Sequence, residues 1–248
     1  MTTSLITLLT DFGTGDSYVG EMKGVLLAAV PGATVVDITH QIPPGDVRAA
    51  QFILARTWHR FPNGTVHVVV VDPGVGTDRR ALAATAEGHA FVAPDNGLLT
   101  ALPPGARFAS LPIPADASPT FHGRDVFAPA AARLARGASL EQLGQIVSDP
   151  LKVPLPTPHA DGPVTVGEVI YVDRFGTLVS NIAGEAVEPG VRIKVEGTDV
   201  GPLRRTFGDV ERGQLLAYVG SAGTVEVAVR DGSAARLLGV GVGGQVRA

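Results

Sequence analysis

The chain has 248 residues, 45% hydrophobic and 18% charged, with a formal net charge of -4 and no cysteine. That is apolar residue enough for one large domain or two smaller ones, and too much for a disordered chain. The acidic balance argues against nonspecific nucleic-acid binding, and the missing thiols exclude disulfides, thiolate catalysis and cysteine-held zinc or iron–sulfur centres. The opening stretch MTTSLITLLTDFG has no basic n-region and meets Asp11 too early for a signal peptide. No run nears the ~18 apolar residues of a membrane span. A soluble cytoplasmic protein is the expectation.

Leu5 to Thr10 reads as a buried strand. Asp16 or Ser17 can cap a helix with the stripe Val19, Met22, Leu26 and Val30, which Pro31-Gly32 stops. Ala33 to Ile38 is a second strand. A helix follows near Asp46, with Val47, Ala50, Ile53, Leu54, Thr57 and Trp58 on one face, ended by Pro62-Asn63-Gly64. The β-branched run from Thr65 to Val71 suits a central strand covered on both faces. Shorter strands are expected at 81–85, 90–93 and 107–111. Helices are expected at 126–135 and 140–146, the second with Ser139 and Gln142 as a capping box. Alternating strands and helices predict an α/β/α sandwich on a mostly parallel sheet over residues 1–151. Lys152 to Pro163 holds four prolines and reads as a linker. Beyond it, strands at 164–172, 191–195, 215–219 and 225–229 predict a β-barrel domain over 164–248.

Polar residues collect where the strands of the first domain end, the place where open α/β sheets bind ligands. Asp11 and Asp16 follow the first strand, His40 and Asp46 the second, Asp72 the central one, and Asp95-Asn96 a later one. His122 stands just ahead of a helix, where a dipole can keep an imidazole neutral. Each also has a plainer role. Asp16 and Asp46 can be caps, Asp95-Asn96-Gly97 a turn, His40 and His67 structural histidines, and Arg79 and Arg80 solvated charges. Three carboxylates from separate strand ends nevertheless favour a site. Asp11-Phe12-Gly13 lacks the companion motifs of a kinase, and no P-loop, His-Glu-x-x-His or Gly-x-Ser-x-Gly occurs. Carboxylate-bound Mg²⁺ stays open on composition.

Five ordered motifs carry a resemblance that spans nearly the whole chain. They are Leu9-Thr10-Asp11-Phe12-Gly13 with Asp16 and Tyr18; Asp72-Pro73-Gly74-Val75-Gly76; Ala93-Pro94-Asp95-Asn96-Gly97; Phe121-His122-Gly123-Arg124-Asp125; and Asp173-Arg174-Phe175-Gly176 with Ser180-Asn181-Ile182. The chain resembles the S-adenosyl-L-methionine (SAM) hydroxide adenosyltransferases, hydrolytic relatives of the 5′-fluorinase and 5′-chlorinase. The resemblance implies an α/β domain followed by a β-barrel, and a homotrimer with SAM bound between the N-terminal domain of one subunit and the C-terminal domain of the next. It implies attack by water or hydroxide at ribose C5′, giving adenosine and L-methionine. SAM is then the substrate, and no cofactor or metal is expected.

By the same resemblance Asp11 accepts the ribose hydroxyls, Asp16 and Asp173 meet the methionine ammonium, and Phe175 lies against adenine. Asn181 joins the substrate-binding set, and Ser221 touches the methionine carboxylate. Asp72, Arg79 and His122 match the hydrolytic triad, which halogenating members lack. Which of the three is the base is left open. The chain departs from the family at Thr177, where an asparagine commonly contacts adenine, and at Ser180, which replaces a threonine. It departs from the fluorinase at Ala222 and Gly45. The alternatives are a halide-dependent 5′-halogenase and a SAM- or adenosine-binding sensor without turnover.

Overall fold

A computed structural model describes residues 4–248. The chain divides into two compact units, one up to Pro154 and one from Leu155 onward.

The first unit holds seven strands: β1 (Leu5–Thr10), β2 (Thr34–Thr39), β3 (Val66–Val70), β4 (Ala81–Ala86), β5 (His89–Pro94), β6 (Arg107–Leu111) and β7 (Gln145–Val147). They lie in one sheet in the order β2-β1-β3-β5-β4-β6-β7. β2, β1, β3 and β5 run parallel, whereas β4, β6 and β7 join antiparallel. The parallel half follows the strand–helix alternation. Its helices are α1 (Tyr18–Ala29) and α2 (Val47–Thr57), with α3 (Ala128–Ala135) and the single turn α4 (Leu140–Leu143) later in the chain.

Period-2 alternation along β1 assigns the two faces. Ile6 and Leu8 pack with Met22 and Leu26 of α1 and with the alanines of α3. Thr7 points to the other face, where its hydroxyl meets His67 and where Phe91 stacks on His67 and meets Trp58. All five residues of β3 are buried, so Val68 and Val69 are covered on opposite faces of the sheet. Met22 and Leu26, fully buried, stabilise by roughly 1.5–3 kcal/mol each.

Two expected helices differ. The second stops at Leu143 and the chain turns extended into β7. A Cβ on Gly144 would stand 1.9 Å from the Ser110 carbonyl oxygen, so the backbone there lies against β6 and pairs with it. The first begins as a π-helical turn, Gly123–Phe127, before α3.

The second unit has β8 (His159–Asp161), β9 (Val164–Val172), β10 (Leu178–Ala183), β11 (Arg192–Val195), β12 (Thr198–Arg204), β13 (Leu215–Val219), β14 (Thr224–Val229) and β15 (Gln245–Arg247), with a short helix α5 (Ala234–Leu238). Seven of them form the ring β10-β14-β13-β12-β11-β15-β9, which the β9–β10 pairing closes, while β8 adds to β9 outside the ring. Closure removes the exposed edges of an open sheet. Val169, Leu178, Ile182, Ile193, Val195 and Val227 fill the interior. β8 falls inside the stretch read from its prolines as a linker. β10, β12, β15 and α5 were not read from the sequence; glycines interrupt the pattern around them.

Candidate active site

Asp11 leaves the carboxyl end of β1. Its Oδ2 accepts the Gly45 amide at 2.8 Å, which ties the first loop to the one after β2. Behind it His40 braces the same corner. Its Nδ1 lies 2.8 Å from the Thr10 hydroxyl, its Nε2 3.1 Å from Asp37 Oδ1, and its carbonyl accepts the Gly13 amide at 2.8 Å. His40 is therefore a buried structural residue. A cleft of about 530 Å³ opens beside Asp11, lined by Phe12, Tyr18, Pro44, Gly45, Asp72 and Pro73.

Asp72 leaves β3 on the same side of the sheet. The loop after it folds back on itself: the Val75 amide donates to the Asp72 carbonyl, and the Thr77 hydroxyl to the Gly74 carbonyl at 2.7 Å. Gly76 makes the turn possible. Its φ is +76°, and a Cβ would come within 2.6 Å of the Pro119 carbonyl oxygen. The turn returns Arg79 to Asp72. Arg79 Nε donates to Asp72 Oδ1 at 3.0 Å and Nη2 donates to Oδ2. Both side chains are more than nine-tenths buried. Nη2 also donates to His122 Nδ1 at 2.8 Å.

That last bond fixes a protonation state. A guanidinium only donates, so Nδ1 of His122 must present its lone pair, and the ring proton resides on Nε2. Burial and then the Arg79 charge push the His122 pKa below its usual value, outweighing Asp72 and Asp125. His122 is a neutral imidazole with its lone pair already engaged and an N–H to offer. Arg79 Nη1 is buried and has no partner among the described residues, so it is a second donor in reserve. The triad residues thus meet in one cluster, and the π-helical turn that follows His122 is a distortion often found at functional sites.

Other strand-end residues have structural work. Asp46 caps α2 by accepting the Ala49 amide at 2.9 Å. Asp95 accepts from Arg80 Nε and the Leu151 amide, each at 2.7 Å, and Arg80 reaches on to Asp149. Asn96 donates to the Val71 carbonyl at 2.8 Å. Asp16 is exposed in the loop before α1. Ser17, next to it, bonds the Glu21 carboxylate at 2.7 Å.

Four of the expected residues belong to the second unit. Asp173 Oδ1 accepts the Phe175 and Thr177 amides at 2.9 and 2.8 Å, which shapes the loop that presents Phe175, 71% exposed. Asn181 uses both ends of its amide on backbone. Its Oδ1 accepts from Glu168 N and its Nδ2 donates to the Pro156 carbonyl, both at 2.8 Å. Ser221 is exposed in the tight loop between β13 and β14. Nearby Glu226, 8% exposed, accepts the Tyr218 hydroxyl at 2.8 Å.

Sequence reasoning assigned no role to the aromatic rings beside Asp11. Phe12, Tyr18 and Phe121 touch pairwise, with centroids 5.2–6.0 Å apart. The signal for it was an aromatic at the exposed start of an amphipathic helix.

Comparison with known proteins gives the same picture along the chain. Residues 6–144 match the family model of the SAM hydroxide adenosyltransferase N-terminal domain, and residues 167–247 that of the C-terminal domain. An (R)-S-adenosyl-L-methionine hydrolase of Salinispora tropica is 45% identical over 258 residues, covering 99% of this chain and 97% of that protein. A fluorinase of Actinoplanes sp. is 30% identical over 269 residues, covering 90% of each. Among solved structures, that of a conserved protein from Thermotoga maritima superposes with a TM-score of 0.89 at 36% identity, covering 98% of each chain.

Proposed function

The chain belongs to the SAM hydroxide adenosyltransferase family, and we propose that it hydrolyses SAM at ribose C5′ to adenosine and L-methionine. The single observation that carries this reading is the Asp72–Arg79–His122 cluster beside the Asp11 cleft. The hydrolase relative is also nearer in sequence than the fluorinase.

The chemistry asks little of the protein besides geometry. A sulfonium leaves readily, so the task is to hold C5′ in line with a nucleophile that has shed its water shell. Oxygen forms a bond to C5′ while the C5′–S bond breaks, its electron pair returning to sulfur. Water loses one proton, and the positive charge of the sulfonium departs as that proton. Asp11 is placed to accept the ribose hydroxyls with the lone pairs that Gly45 leaves. His122 cannot take the water proton while Arg79 occupies its Nδ1. Asp72 can, because each carboxylate oxygen keeps a second lone pair after binding Arg79. We assign Asp72 as the acceptor, Arg79 as the clamp that orients it, and the Nε2–H of His122 and Nη1 of Arg79 as donors to the nucleophile oxygen.

Asp16, Asp173, Phe175, Asn181 and Ser221 complete the binding set by resemblance, in a cytoplasmic homotrimer whose sites draw on two subunits. Light scattering of the purified chain tests the assembly. No cofactor is required, and the rate in excess chelator should equal the untreated rate. Inactivation that Mg²⁺ reverses would show a metal-dependent step.

The decisive experiment is product analysis from SAM in ¹⁸O-labelled water, with and without chloride. Labelled adenosine plus methionine supports hydrolysis. A 5′-chloro product would make the chain a halogenase, and bound but unchanged SAM a sensor.

A further inference from the structure

We infer that Phe12 and Tyr18 form a cation-binding wall that selects the charged sulfonium of the substrate over a neutral thioether. The inference rests on the proposed reaction and names the selectivity of that same site.

The wall is built from packing within the first unit. Phe121 meets Tyr18 edge-on at 5.2 Å and Phe12 at 6.0 Å. The Arg124 guanidinium lies over the Phe121 ring, 5.0 Å from its centroid, so that ring already serves a cation. Arg124 is in turn fixed by Glu21 at 2.8 Å and by both oxygens of Asp125 at 2.7 and 2.9 Å. Phe12 and Tyr18 remain, and both line the cleft with Asp11. Tyr18 is 48% exposed and touches only the rings of Phe12 and Phe121 among the described aromatic residues.

The charges around the cleft agree with a cationic occupant. Asp72 is neutralised by Arg79, while Asp11 is matched by no cation among the described residues and is held only by a backbone amide. The cleft therefore presents one uncompensated carboxylate and two aromatic rings, the elements of cation–π recognition. A sulfonium is a soft, weakly hydrated cation that suits such rings.

The wall also has a kinetic sign. Sulfur loses its charge as the C5′–S bond breaks, so the rings hold the ground state more tightly than the transition state. They would give affinity and selectivity, with no gain in kcat, and would release the neutral thioether of methionine.

The test measures binding of SAM and of its demethylated thioether analogue by calorimetry, in an Asp72→Asn background that slows turnover. Tyr18→Leu should raise Kd for SAM about 5- to 20-fold and change Kd for the thioether less than about 2-fold, and Tyr18→Phe should restore the parent ratio. In the active protein Tyr18→Leu should raise KM by a similar factor without lowering kcat. Equal weakening of both ligands, or no preference for SAM in the parent, would overturn the wall while leaving the hydrolase reading intact. A parent that binds neither ligand would overturn both.

Discussion

At the residue scale Asp72 and Asp11 do different work, and their variants should separate. Asp72→Asn keeps the shape of the side chain but removes the acceptor, so turnover from bound SAM should fall about 10²–10⁴-fold, with Kd changed far less. Asp11→Ala removes a contact made equally to substrate and transition state. Its cost should fall mainly on KM, and steady-state kinetics on the two proteins would distinguish the roles. Near wild-type kcat in Asp72→Asn would return the proton acceptor to another group. Some of this was legible in the sequence. Three acids at separate strand ends marked the place, and the seven-residue spacing of Asp72 and Arg79 matched a known pattern. The protonation state of His122 was not legible, because it depends on a guanidinium that arrives from a different loop. The same limit applied to Asp95, which reads as part of a turn in sequence and is an anchor for Arg80 in space.

At the scale of elements the turn from Asp72 to Arg79 governs whether the site exists. Gly76 has left-handed backbone and no room for a side chain against the Pro119 carbonyl. Gly76→Ala should therefore cost about 1–3 kcal/mol of backbone strain and, by shifting the turn, separate Arg79 from Asp72. Urea unfolding should show the first and loss of turnover the second; full activity in this variant would mean the turn tolerates the shift. The parallel strands around this turn were readable because burial on both faces leaves an unbroken run such as Thr65 to Val71. Gly144 was not readable in the same way. Local propensity continues a capped helix past Leu143, yet contact with the Ser110 carbonyl makes that residue extended and starts β7. Tertiary packing overrode propensity there, as it did where β12 and β15 take their places in the barrel from glycine-broken segments.

At the scale of the whole molecule the first unit carries a buried pair of bases that ties its stability to pH. His67 is fully buried in β3. Its Nδ1 lies 2.7 Å from the Thr7 hydroxyl, its Nε2 3.2 Å from His89 Nδ1, and its ring stacks on Phe91. Burial, and secondarily the nearby His89, pushes its pKa down to about 3, and His89 is lowered as well, chiefly by burial. In the unfolded chain both rings take a proton near pH 6.5. Between about pH 6.5 and 3 the unfolded state thus binds more protons than the folded one, and stability falls as the pH falls. A shift from 6.5 to about 3 corresponds to at most about 5 kcal/mol for His67, a large share of the stability of a domain. Above pH 6.5 this contribution is complete and flat. The expected result is a urea midpoint that is constant from pH 8 to 7 and drops between pH 6.5 and 4.5, before most carboxylates titrate. His67→Gln, which can keep a hydrogen bond to Thr7, should flatten most of that drop while lowering the midpoint at pH 7. A slope unchanged by the substitution would assign the acid sensitivity to other groups. His67 and His89 pack with Trp58, Phe61 and Phe91 near the start of β3, whereas Asp72 follows its other end, so the pH dependence of unfolding and that of turnover should have different midpoints.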